Sequence, residues 1–505
     1  MESNGSILRR ALEMNTLYFA RLDVANLPEG AKVSSPVVAD YNWDLYSRIE
    51  YGYDLTKSAG SRLTHLRFEG ARPPHSWGEG FGEGRSLRQG ASVTRCPGGP
   101  TTMRSVLFLL LLAGCATPSR RAEGPGATEV DRVVRDLCDK RVALLGEDSH
   151  HGSARTLEVK VELTRRLVEE CRYDAFFIEA GVYDFLRIQE RLDAGQPITE
   201  DMVADAVGGM WANEEVAPLI PLLTRWLREG AVVAGGLDDQ VNRGTYAQRE
   251  MAPELLPALV DSRRAECGEE IERYLSWRYD DAHRFTAASA ARIQGCWAEL
   301  AAGASTSRSH GWMARNLERF FARQVAVMSR PPPPEGSPTD WSTFNDRDQS
   351  MFANLQWHLS RSPGPRKAIV WLATVHAAKD LEHLDDGGGP PVPFGSHVRA
   401  RFGEQAFVLG FSALQGKYSL ASTPRTYDLE PARADSLEAW ALSSPSADSR
   451  YVDAHQLREN GTRVARAVNY RWMMAPWDTV IDGLLVFREE APPRPRALPS
   501  SARAE

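Results

Sequence analysis

Short apolar runs recur along this chain, and amphipathic segments separate them. Val142 to Leu145, Ala175 to Ile178, Ala231 to Ala234, Ala368 to Leu372, Ala406 to Leu409 and Gly483 to Phe487 each have the length of a strand buried on both faces. Between the first two lies Leu157 to Cys171, with Leu157, Val161, Leu163, Leu167 and Val168 at helical spacing. Helices are likewise predicted over Glu129 to Lys140, Glu190 to Val207, Val216 to Glu229 and Trp341 to Leu359, the last with Met351, Leu355 and His358 on one stripe. Strand, helix, strand is the parallel crossover unit, right-handed in nearly all cases. The first two strands should therefore be parallel, so that Glu147 and Glu179 emerge at the same end. Tyr246 to Arg330 has helical spacing throughout and ends at Pro331 to Pro334, a stiff spacer. The fold class predicted is α/β: a mostly parallel central sheet flanked by helices, with a large all-helical insertion over about residues 246–330.

The polar residues that follow the apolar runs carry the candidate chemistry. In open α/β sheets ligands bind outside the carboxyl ends of the strands. The first run ends in Gly146-Glu147-Asp148-Ser149-His150-His151-Gly152, the second in Glu179, the third in Asp238-Asp239-Gln240, the fourth in His376. Acids and imidazoles thus collect on one rim. Glu147 and His150 are three residues apart, a spacing that suits a carboxylate orienting a histidine general base. Structural readings compete: Ser149 as a helix cap, Glu179 as a buried partner of Arg347, His376 as a core histidine, Trp211 as packing, Asp238 as an anchor for Arg243. No G-x-S-x-G elbow and no H-E-x-x-H motif occurs. The set Glu147, His150, Glu179 and His376 also offers ligands to a divalent ion, which keeps a metal-binding alternative open.

Composition narrows the class. The chain of 505 residues is 42% hydrophobic and 25% charged, with net charge −7, so the basic face of a nucleic-acid binder is not expected. Met103-Arg104-Ser105, the apolar Val106 to Leu112 and Ala113-Gly114-Cys115 read as a secretory signal, too short for a membrane span of about 20 residues. Leu112 to Cys115 resembles a bacterial lipobox with Cys115 as the lipidated residue. On this reading translation starts at Met103, residues 1–102 are an extension upstream of the true start, and residues 116–128 are a tether. Ala116 after the cysteine points to an outer membrane, with the protein on its periplasmic face. An oxidising compartment permits disulfides. Cys138 lies three residues before Arg141 and Cys171 three before Asp174, where the first two strands are entered, and they meet if those strands are neighbours, while Cys267 and Cys296 lie on successive helical segments; free buried thiols are the alternative for both. The Pro/Arg/Ser-rich tail from Ala491 is expected to be disordered.

The ordered motifs resemble the erythromycin esterase-like family. They are Leu145 to Gly152, the Lys160 to Glu170 helix, Phe177-Ile178-Glu179-Ala180-Gly181, Trp211 with Glu214-Glu215, Gly236 to Gln240, Arg347-Asp348 with Met351 and Asn354, Trp371 with His376, Gly410-Phe411, and Asp482-Gly483. The resemblance spans about residues 140 to 490, within an expected hydrolase domain of residues 129–490. It implies hydrolysis of an ester or lactone by water, with no covalent intermediate and no cofactor. It makes His150 the base and Glu147 its partner, sets Glu179 and His376 at the reacting centre, and gives Arg347 the oxyanion. His151, Trp211, Asp238 and Gln240 would contact substrate. The chain departs from the family twice. One extra residue between Glu147 and Gly152 leaves two candidates for the base: spacing favours His150, adjacency to Gly152 favours His151. Ala373-Thr374 replaces a His-Asn pair.

Overall fold

The computed structural model describes residues 128–496 apart from short breaks at 281–282, 304–306, 332, 335, 362–363 and 422, together with a two-residue pairing of Lys32–Val33 and Tyr53–Asp54. The signal, Cys115 and most of the tether lie outside the described residues.

Ten strands follow along the described chain. They are β1 (Val142–Leu145), β2 (Ala175–Gly181), β3 (Val233–Asp238), β4 (Ala368–Trp371), β5 (Ala406–Ser419), β6 (Thr426–Leu429), β7 (Ser449–Val452), β8 (Thr462–Ala465), β9 (Met473–Pro476) and β10 (Gly483–Glu490). Eight of them form one sheet in the order β3-β2-β4-β1-β5-β10-β7, with β6 paired to the far end of β5. The pairings from β3 through to β10 are parallel, and only β7 and β6 run antiparallel. β8 and β9 make a separate antiparallel pair. Every residue of β1, β2 and β4 is buried, as strands covered on both faces must be. One apolar core lies under the helices Glu129–Cys138, Ala154–Cys171, Val182–Asp193 and Leu219–Arg228, and a second under Ser342–Ser360 and Phe394–Phe402. Tyr246 to Ser329 forms helices only, among the described residues, around a third core. No described helix is long and apolar enough to cross a membrane.

The mostly parallel sheet and the helical insertion agree with the reading from sequence; the strand adjacency on which the meeting of Cys138 and Cys171 was conditioned does not hold. β4 lies between β1 and β2, pairing Leu145 and Ile178 with the same Trp371. The Cys138 to Cys171 disulfide forms nonetheless, at a Cα separation of 4.9 Å. Two packed helices that end side by side bring its sulfurs together; adjacency of strands does not. Cys267 and Cys296 are also bridged, joining the insertion helices Asp261–Leu275 and Ala287–Ala302. β5 runs ten residues past the expected end at Leu409. Beyond Ala413 its burial alternates, a period-2 pattern that an apolar run does not reveal.

The tail also differs from expectation. Residues 491–496 are ordered: Arg494 donates from its backbone and its Nε to the Glu215 carboxylate, both at 2.9 Å, and Arg496 N–H donates to Ala212 O at 2.8 Å. Composition pointed to disorder, but buried Glu215 supplies a partner. Just upstream, Glu490 accepts from the N–H groups of Arg155 and Thr156, closing a helix N-terminus that Ser153 leaves uncapped. Deleting residues 491–505 strips Glu215 of these bonds. The deletion is expected to lower unfolding stability by roughly 1–3 kcal/mol, the cost of orphaning a buried acceptor, as read by urea titration.

Candidate active site

The turn after β1 sets the site's geometry. Gly146 leaves the strand where no side chain fits, since a Cβ there would lie 2.5 Å from Thr374 Oγ1. Glu147 follows, fully buried. Its Oε1 meets His151 Nδ1 at 2.7 Å and accepts from Trp211 Nε1 at 3.0 Å. Its Oε2 lies 2.9 Å from Lys160 Nζ, an ion pair not aligned as a hydrogen bond. His151 takes φ 56°, the left-handed region, which is uncommon for a side chain with a Cβ and concentrates at functional sites. This backbone sends the two histidines to different acids. The expected contact of Glu147 with His150 does not form. His150 Nδ1 sits on Asp148 Oδ1 at 3.0 Å and its ring packs on Tyr418. The i,i+3 spacing that favoured His150 presumed a helical turn starting at Glu147, whereas the turn here closes one residue later, from His151 N–H to Asp148 O at 3.1 Å.

A second cluster stands beside the first. A bulge in β2 between Ile178 and Gly181 coincides with Glu179, whose Oε2 accepts from Ala373 N–H at 2.8 Å. Arg347, from the Ser342–Ser360 helix, donates through Nη2 to Glu179 Oε1 at 3.0 Å and to Asp238 Oδ2 at 2.6 Å. Its Nη1 lies 2.9 Å from His376 Nε2. A guanidinium can only donate, so that contact is a hydrogen bond when Nε2 carries no proton. The same Nε2 lies 3.3 Å from Glu179 Oε1, the partner it would take when protonated. His376 Nδ1 rests on Asp348 Oδ2 at 2.8 Å, and the ring stacks on Phe344.

The electrostatics join the clusters. Burial alone would lower the pKa of His151, but the Glu147 bond and the charges of Glu179, Glu147 and Asp148 outweigh it and raise it above 6.5. Burial would raise that of Glu179, but His376, His151 and Arg347 hold it down at about 2. Lys160 is lowered to about 8 by burial, which Glu147 only partly offsets. His151, bonded to Glu147, thus lies within electrostatic reach of Glu179, and Glu179 touches His376 and Arg347. The side chains of four strand ends meet on one rim.

The erythromycin esterase family profile matches residues 168–480, more than half of the chain. This chain belongs to the erythromycin esterase family. The match begins downstream of the Glu147 turn, so that turn rests on its own geometry. Among solved structures, a succinoglycan biosynthesis protein superposes with TM-score 0.55 at 15% identity, covering 73% of this chain and 92% of the other. A protein from Bacillus cereus superposes with TM-score 0.53 at 15% identity, covering 74% and 95%. These likenesses establish a shared fold. A mutant of erythromycin esterase EreC in its open conformation gives TM-score 0.48 at 14% identity over 73% and 95%.

Within this family member, Glu147, His151, Trp211, Glu179, Asp238, Arg347 and His376 gather, while His150 stands apart on Asp148. Gln240 reaches the rim through its backbone, with its N–H 3.4 Å from Asp238 Oδ1. Trp211 packs in the core and also donates to Glu147. Asp238 holds Arg347, not Arg243. Ser149 caps nothing: its hydroxyl is buried without a partner. The rim acids and histidines do not form a metal-ligand group. Among the described residues, only Glu190, Glu254 and His310 present ligand atoms within 4.8 Å of one another, and Arg187 already donates to Glu254 there. Sequence reasoning gave no role to Lys160 or Arg323. Each had a signal: a long cation on the buried stripe of its helix, Lys160 with Leu157 and Thr164, Arg323 with Phe320 and Gln324.

Proposed function

We propose that this chain is a hydrolase that cleaves an ester or lactone with water activated by His151. The observation that carries the reading is the buried bond of Glu147 to His151 Nδ1 at 2.7 Å. A carboxylate on Nδ1 fixes the tautomer with its lone pair on Nε2, the atom that takes the water's proton as oxygen attacks the carbonyl. Arg347 faces the oxyanion, its plane fixed by Asp238 and Glu179 before substrate arrives. The proton on His151 then passes to the leaving alkoxide, and no bond to the enzyme forms. Trp211 and Lys160 hold the Glu147 carboxylate in place.

The test is turnover of a panel of aryl esters and macrolides as a function of pH. The base must be neutral, so activity rises as pH passes the raised pKa of His151, with the acid limb above 6.5. Lys160 loses its charge near pH 8, and the rate is expected to fall again there. Glu147→Gln should lower kcat/KM by roughly two to four orders of magnitude, as loss of general-base function does. Full activity in that variant would sink the mechanism. Tethering to a membrane by Cys115, at the periplasmic face, is part of the same proposal. It is supported by the Met103 to Cys115 signal pattern and by two disulfides that suit an oxidising compartment.

A further inference from the structure

Thr374 stands where the two halves of the site meet. Its N–H donates to Glu147 O at 2.7 Å, and the N–H of Ala373 before it donates to Glu179 Oε2 at 2.8 Å. The residue is fully buried, yet Thr374 Oγ1 has no hydrogen-bond partner. It lies against Gly146, one residue before the acid that holds His151. Buried hydroxyls without partners are rare and cost free energy. A valine would fill the same space without that cost, so the oxygen needs an account. The fold gives it neither a helix-capping bond nor a cross-strand bond.

We infer that the Thr374 hydroxyl receives an oxygen of the reacting group, the attacking water or the ester carbonyl, and is satisfied only when the site is loaded. The inference rests on the hydrolase reading above and adds a residue to it. A hydroxyl can donate to a carbonyl or accept from a water, so both oxygens share one chemistry. Neither role needs the hydroxyl to lose its proton, and His151 remains the base.

The experiment compares Thr374→Val, Thr374→Ser and Glu147→Gln with the unaltered chain, by thermal unfolding and by steady-state turnover of one aryl ester. Thr374→Val is expected to melt at the same temperature or higher and to lose about tenfold to a hundredfold in kcat/KM. A rise in KM with kcat unchanged assigns the hydroxyl to ground-state binding of the ester carbonyl, and a loss in kcat assigns it to the transition state, to the attacking water or the developing oxyanion. Thr374→Ser should retain most activity. A lower melting temperature with unchanged turnover in Thr374→Val would mean that the hydroxyl is bonded within the fold, and would overturn the inference; so would unchanged turnover alone. Glu147→Gln separates the failures. If it is inactive while Thr374→Val is fully active, only this inference falls. If both are fully active, or if no form of the protein turns over any ester, the hydrolase reading falls with it.

Discussion

His151→Gln is expected to lower kcat/KM by roughly two to four orders of magnitude, while His150→Gln stays within about tenfold of the unaltered chain. The two residues are neighbours with the same side chain, so composition cannot account for such a difference. Their partners can. His151 Nδ1 rests on Glu147, inside a ring made by Trp211 and Lys160. His150 rests on Asp148, which also accepts from Ser153 and is lowered in pKa by the His150 bond despite its burial. Glutamine keeps a donor and roughly the size but cannot accept a proton from water at neutral pH. The expected His151→Gln profile therefore loses the acid limb above 6.5, whereas His150→Gln keeps it. The reverse outcome, an inert His150→Gln and an active His151→Gln, would hand the base to the outer pair and void the geometry argued above.

What could be read in the sequence follows from how local each signal is. The β1, β2 and β4 runs were plain because strands buried on both faces are apolar without interruption. The polar residues at their ends were plain because a parallel sheet puts all its carboxyl ends on one rim. The order of those strands was not, since nothing in Val142 to Leu145 says that β4 will lie between β1 and β2. The choice between His150 and His151 was out of reach for another reason. It turns on one backbone angle, φ 56° at His151, and both histidines are compatible with the letters around them. The partner of Arg323 was hidden by distance, because Asp239 directly follows β3, eighty-four positions earlier in the chain. Arg494 and Glu215 likewise order a tail whose composition alone reads as disordered.

Arg323→Met is expected to cost roughly 3–5 kcal/mol of unfolding stability, the price of leaving a buried ion-pair partner alone. Asp239 is fully buried, receives both Nη groups of Arg323 and accepts from Ser350 Oγ at 2.7 Å. Methionine fills the stem's volume and removes the charge. Removing both charges, in Arg323→Met with Asp239→Asn, should recover much of the loss, because no unpaired ion then remains. The pH dependence supplies a sign that a mere packing defect would not give. In the unaltered chain burial would raise the Asp239 pKa, but Arg323 and Ser350 outweigh it and hold it below 3.8. The pair therefore contributes stability above the unfolded carboxyl's pKa, lost as pH falls through the lower folded value. Without Arg323, burial pushes the carboxyl up, so protonation relieves the variant, and its deficit should shrink as pH falls toward the carboxylate range. The consequence for activity follows from the strand. Asp238 and Asp239 are consecutive on the β3 end, the first holding Arg347 and the second held by the insertion helix Arg308–Ser329. Loosening Asp239 frees the strand end that aims Arg347, so kcat should fall in Arg323→Met even at temperatures where the variant is fully folded. Urea titrations at two pH values with turnover at low temperature decide the matter. A deficit that stays constant on acidification would mean that another cation, Arg319 being the nearest, holds the Asp239 carboxyl down in the variant.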